Sequence, residues 1–275
     1  DGDPWDKYFL KMEEPDCEIV PVGCVLTMVG TGSEMNAGSV ITNHEQKLKI
    51  GHVFGEEVMP RFSILNPEFT MTVPQYQMIS GIYDMFNHIC EQYFSGDDDN
   101  SSDYLAEGLM RSVIHSSRIA VKDPKNYEAR SNLMWLSTMA ENRIIKLGKR
   151  CDFECHQMEH QISAYTNCSH GCGLAVLHPV YYRHICQAGA KKFTRFAENV
   201  WKIPRNGRTD EEMAEAGVEA LADFIREIGL PTTLREVGVE KKEDLKEIAD
   251  SCYLVDGSYK KMTHEEILEI FLECF

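Results

Sequence analysis

The sequence predicts a mainly α protein, an all-helical domain preceded by a small β-rich part. Two changes of texture carry that expectation. Residues 18–73 are rich in Val and Ile and are broken repeatedly by Gly, Asn and Pro, as short strands are. From Pro74 onward, apolar residues recur every three or four positions, the period of a helix. The division is therefore expected at 1–73 and 74–275, and the second part has ordinary domain size.

The elements follow in order. The opening run "DGDPWDKYFLKMEEPD" reads as a loop, has no initiator Met, and suggests a chain whose N-terminal part has been removed. The segments "EIVPVGCVLTM", "GSVITN", "KLKIGHVF" and "RFSIL" are expected as strands, with "TNHEQK" as a hairpin connection. The first helix should run from Pro74 to Phe94. Proline suits its first turn, Gly96 lies just past its end, and Ile79, Ile82, Phe86, Ile89 and Tyr93 form its apolar stripe. Further helices are expected at about 102–121, 126–148, 152–166, 172–187, 190–201, 209–229, 241–252 and 264–274. Near Asp210, Glu211 and Glu212 complement the helix dipole without a full capping box. Thr263 with Glu266 has the capping-box pattern.

Composition narrows the function classes. A net charge of −16 argues against a nucleic-acid partner, which needs a basic face. No apolar run reaches the roughly 18 residues of a membrane helix, and no signal peptide stands at the start. The ten cysteines are expected as free thiols in a reducing cytoplasm, because disulfide scaffolds are shorter and denser in cysteine.

Three groupings carry chemistry. Asp84 and His88 stand four apart on the first helix, on one face with Gln77, Gly81 and Glu91 and opposite the Phe86 stripe. That face is either a solvated polar face or half of a metal grip. His156 and His160 repeat the spacing on a later helix, and His170 follows 14 residues after His156, in a loop just before Gly171. The stretch "CDFECHQMEHQISAYTNCSHGCG" admits two other readings. Cys151, Cys155, Cys168 and Cys172 could form a four-thiolate zinc site. "HQMEH" also matches a zinc-peptidase pattern, with His156 and His160 as ligands and Glu159 as general base.

The strings "LTMVGTGSEMNAGSVITN", "FSILNPE", "GIYDMFNHICEQYF", "EARSNLMW" and "HQMEH…SHG", in this order, resemble the iron-containing, group III alcohol dehydrogenases. Within that family they are most similar to the NADPH-dependent butanol dehydrogenase or aldehyde reductase branch. The resemblance implies a dehydroquinate synthase-like architecture, with an N-terminal dinucleotide-binding domain, a helical metal domain and a cleft between them. Residues 1–73 would be the remainder of the first domain, without its Gly-rich phosphate loop. The resemblance assigns Asp84, His88, His156 and His170 to a divalent metal, Fe2+ first and Zn2+ or Ni2+ as alternatives. It puts His160 beside the substrate as a proton relay. It matches Thr27, Asn36, Lys47 and Phe69 to cofactor contacts, with Lys49 two residues from the least secure of them. The implied reaction is hydride transfer between NADP(H), rather than NAD(H), and a primary alcohol or aldehyde such as butanal. A cytoplasmic homodimer is implied too, with the chain as it stands weakly active or inactive. The cysteine-rich run around His156 and His170 departs from the family pattern.

Overall fold

Among residues 2–275, which the computed structural model describes, four short strands precede nine α-helices. The mainly α expectation therefore holds. The strands form two separate pairs. β1 (Gly23–Val25) lies parallel to β4 (Phe62–Ile64). β2 (Gly38–Asn43) and β3 (Leu48–Val53) form an antiparallel hairpin in which Ile41 faces Ile50. The hairpin turns where expected, because the Asn43 side chain accepts from the backbone N–H groups of Glu45 and Gln46, each at 3.1 Å. The first strand is shorter than expected, with three residues paired.

The opening run is not a loop. Trp5–Leu10 winds into a π-type turn, with Trp5 and Phe9 buried. Phe9 packs edge-on against Phe54 just beyond the hairpin, and Trp5 Nε1 donates to Gln46 at 2.8 Å. The sequence signal was weak because only two side chains of this turn are buried, Trp5 and Phe9.

The helices are α1 (Gln75–Tyr93), α2 (Ser101–Lys122), α3 (Tyr127–Glu141), α4 (Glu154–Thr166), α5 (His170–Ile185), α6 (Ala190–Asn199), α7 (Asp210–Glu227), α8 (Asp244–Asp250) and α9 (His264–Cys274). α1 is the central one. From Met78 to Tyr93 every residue is buried, so its polar face is not solvated. Both faces are covered, the Phe86 side by Trp201 and Phe224 and the Asp84 side by α4 and α5. The covering backbones come very close. A Cβ at Gly81 would lie 2.1 Å from the Val29 carbonyl oxygen, and one at Gly171 would lie 1.9 Å from that of Ser80. Only glycine fits at these two crossings.

Two helix ends differ from the sequence reading. Thr209 and Glu212 form a complete capping box at α7, each side chain bonding the other's backbone N–H. The expected 126–148 helix stops at Glu141, the end of α3. Arg143 then takes a left-handed φ of 73°. The reason is tertiary. The Lys149 side chain is fully buried and reaches Asp103 on α2 at 2.5 Å, joining a network with Asp98 and Lys192. A buried charge must find its partner, and a continuous helix would carry Lys149 away from it.

Candidate metal centre

The site lies where α1, α4 and α5 meet. Helical spacing puts Asp84 and His88 on one face of α1. His156 sits in the first turn of α4, and His170 opens α5. The three imidazoles surround one oxygen. Asp84 Oδ1 lies 3.3 Å from His88 Nδ1, 3.8 Å from His156 Nε2 and 3.5 Å from His170 Nε2. The structure thus brings together all four residues named for a metal in the sequence reading.

Asp84 Oδ1, His88 Nδ1 and His156 Nε2 are buried and have no hydrogen-bond partner. Buried polar atoms are normally satisfied, so orphaned atoms facing one another need a common partner. The ligating atoms of Asp84, His88 and His156 lie within 4.8 Å of one another. Three imidazoles and one carboxylate form a donor set that fits Fe2+, Zn2+, Ni2+ or Mn2+. Burial alone would raise the Asp84 carboxyl, but His88, His170 and His156 outweigh it and hold it far below the usual carboxylate range. Burial pushes His88 down. Burial would also lower His156, but Glu91 and Asp84 win and push it up to about 10.

Carboxylates stand behind the histidines. Glu91, fully buried on α1, accepts from His156 Nδ1 and from the backbone N–H groups of Cys155 (2.8 Å) and His156 (3.4 Å). Glu159, fully buried on α4, accepts from His170 Nδ1. Lys49 donates from the hairpin to Glu159 at 3.2 Å and to Ser163 at 2.6 Å. Glu159, His160 and His170 also have ligand-type spacing. There the Lys49 ammonium, 3.4 Å from His170 Nδ1, already supplies the positive charge.

His160 lies at the edge of the cluster, its ring centre 5.5 Å from that of His170 and 6.2 Å from that of His156. Its Nδ1 is buried and unpartnered. Burial, His170 and Lys49 hold its pKa well below the ordinary imidazole value. Its surroundings thus favour the neutral ring.

The cofactor candidates fare unevenly. Lys47 does not reach the histidines. It has a left-handed φ of 51°, stands over the Tyr165 ring and lies 3.8 Å from Glu247. Lys49 is the lysine that enters the site, because it stands on β3, whereas Lys47 precedes the strand in the turn and its left-handed backbone directs it elsewhere. Asn36 ties a turn, donating to the Thr31 carbonyl at 2.8 Å and accepting from Gly38 at 3.0 Å. Thr27 and Phe69 are exposed at the surface. None of these last three bonds the histidine cluster among the described residues.

The thiolate reading finds no support. All ten cysteines are free, and no cysteine belongs to a ligand-type group among the described residues. Burial pushes the Cys151 thiol up to about 11 and Cys168 to about 12. For a peptidase, Glu159 would have to be a free base, and it is buried between Lys49 and His170. Sequence reasoning missed the roles of Glu91 and Lys49. Glu91 had a signal, since it lies seven residues after Asp84 on the same helix face. Lys49 had none.

Comparison with known proteins covers both parts of the chain. "Iron-containing alcohol dehydrogenase" matches residues 2–67, and "Fe-containing alcohol dehydrogenase family, C-terminal" matches residues 78–275. NADH-dependent butanol dehydrogenase A of Clostridium acetobutylicum is 37% identical over 282 residues, covering 100% of this chain and 71% of that protein. NADPH-dependent aldehyde reductase YqhD of Escherichia coli is 34% identical over 244 residues, covering 86% of this chain and 61% of that protein. The crystal structure of NADH-dependent butanol dehydrogenase A from Thermotoga maritima superposes with a TM-score of 0.91 at 31% identity, covering 99% of this chain and 70% of that one.

Proposed function

The chain belongs to the iron-containing alcohol dehydrogenase family, and on that premise we propose that it is the metal-binding part of an NAD(P)H-dependent alcohol dehydrogenase or aldehyde reductase. The reaction is aldehyde plus NAD(P)H plus a proton giving primary alcohol plus NAD(P)+, with butanal as a representative substrate. The observation that carries the reading is the convergence of His88, His156 and His170 on Asp84 with unpartnered buried atoms. Asp84, His88, His156 and His170 would hold a divalent metal, which when bound supplies Lewis-acid polarisation of a carbonyl oxygen.

The chain's own residues do the rest. The covered faces of α1 keep Asp84 and His88 buried. Glu91 and Glu159 hold imidazoles in place. His160, neutral and with a free buried nitrogen, can take a hydrogen bond from the substrate hydroxyl and pass a proton onward. The relatives reported above are named for NADH and for NADPH, and the proposal takes the nicotinamide dinucleotide class without choosing between them. We read residues 1–73 as the cofactor side and 74–275 as the metal side.

The test is metal content by elemental mass spectrometry on the wild type, Asp84→Ala and His170→Ala. About one metal per chain, lost in both variants, is the expected result. Metal retained in both and lost on replacing Cys151, Cys155, Cys168 and Cys172 would move the site to the thiols and sink the proposal.

A further inference from the structure

His156 and His170 each present one ring nitrogen to Asp84 and the other to a glutamate. His156 places Nε2 3.8 Å from Asp84 Oδ1 and Nδ1 on Glu91. His170 places Nε2 3.5 Å from the same oxygen and Nδ1 on Glu159. An ionised carboxylate only accepts hydrogen bonds, so each Nδ1 must carry the proton. A metal that displaces the second ring proton is then ligated through the lone pair of the other nitrogen. The two glutamates therefore aim two lone pairs at one point.

We propose that Glu91 and Glu159 are positioning residues that set the tautomer and ring orientation of His156 and His170 for metal binding. The inference rests on the metal reading above and deepens it.

Both carboxylates are themselves fixed. Glu91 stands on the helix that carries Asp84 and His88, and it also accepts from the Cys155 and His156 backbone N–H groups of α4. One side chain thus docks α4 on α1 and orients the imidazole that α4 supplies. Glu159 is held by Lys49, which is anchored on Ser163. Gly173 makes room for it, since a Cβ there would lie 2.7 Å from Glu159 Cγ. His88 provides the contrast. Its outer nitrogen is 3.7 Å from Glu141, beyond hydrogen-bond range, and Glu141 accepts from Gln92 at 3.1 Å. Glu141 therefore has little hold on His88.

The test uses glutamate-to-glutamine variants. In Glu91→Gln the amide oxygen can still accept from the Cys155 backbone, so the α4 docking bond survives. Its other end becomes an NH2 group, which cannot accept from Nδ1–H. Affinity for Co(II) and Zn(II) would be measured by competition with a chromophoric chelator, together with the visible spectrum of the Co(II) form and the melting temperature of the metal-free form. Glu91→Gln and Glu159→Gln are expected to weaken binding about 10- to 100-fold and to shift the Co(II) bands, as loss of an outer-shell partner does. Glu141→Gln should change affinity less than about threefold, and melting temperatures should stay close to wild type. Wild-type affinity and spectrum in Glu91→Gln and Glu159→Gln, with metal still lost in Asp84→Ala, would overturn the positioning role and leave the metal reading intact. Metal retained in Asp84→Ala would overturn both. If Glu91→Gln fails to fold, Glu159→Gln decides alone.

Discussion

A histidine four residues from another on a helix carries little meaning until its second nitrogen is accounted for. His156 and His160 share that spacing, yet His156 has Glu91 behind it and His160 has an unpartnered Nδ1. His156 is thereby oriented toward Asp84, while His160 is left as a neutral group at the edge. For His160→Asn at full metal occupancy, turnover in the cofactor-competent enzyme is expected to fall by about 100-fold or more, within the range for a positioned proton-transfer group. Steady-state rates across pH 6–9 check this. Rates and a pH profile equal to wild type would remove His160 from proton transfer. The residue pair Lys47 and Lys49 teaches the same lesson. Both are lysines on one hairpin, and only the second reaches Glu159.

Elements place these residues by close approach rather than by strong local propensity. Phe153, just before α4, has a φ of 60° and no side-chain cap. The Glu154 N–H goes to Asp152, but the next two, of Cys155 and His156, are satisfied by Glu91 from α1, which the α4 sequence alone cannot reveal. α5 meets α1 at Gly171, one residue after His170. A Gly171→Ala variant should push the α5 start away from Ser80, lower the melting temperature and weaken metal binding by at least about tenfold. Chelator competition and thermal unfolding of the same sample measure both. An unchanged metal affinity would mean that the Gly171 crossing does not set the position of His170. The caps at Thr209 and Thr263 contribute about 1 kcal/mol each to their helices. In both, donor and acceptor lie three residues apart in the chain, yet only the Thr263 cap was read from the sequence and the Thr209 one was missed.

For the whole molecule, buried charge is the organising problem. Asp103 is fully buried and receives both Lys149 and Lys192, while Arg195 pairs with Glu107 alongside. This network fixes the path from α3 to α4 and hence the entry to His156. Asp152, near the end of that path, accepts from Tyr181 at 2.8 Å and is pushed up to about 7, mainly by burial and next by Glu91. The folded chain then keeps a proton that the unfolded chain has lost. Stability should fall as pH rises from about 4 to about 7 and level off above that. Asp152→Asn, which can still accept from Tyr181, should flatten that slope by on the order of a few kcal/mol. Urea unfolding at pH 5 and pH 7.5 would measure it, and an equal slope in variant and wild type would reject the assignment. What the sequence determined was local or periodic. It held the change from strand to helix at Pro74, the hairpin at Asn43, and the ligand-type spacing of Asp84 with His88, because each is written in residues only a few positions apart. The tertiary structure alone decided that the polar face of α1 is buried, that α3 ends at Glu141, and that Glu91, Glu159 and Lys49 stand behind the histidines. Those outcomes depend on partners as far as 121 residues away in the chain, and a buried polar group takes its role from whichever partner satisfies it.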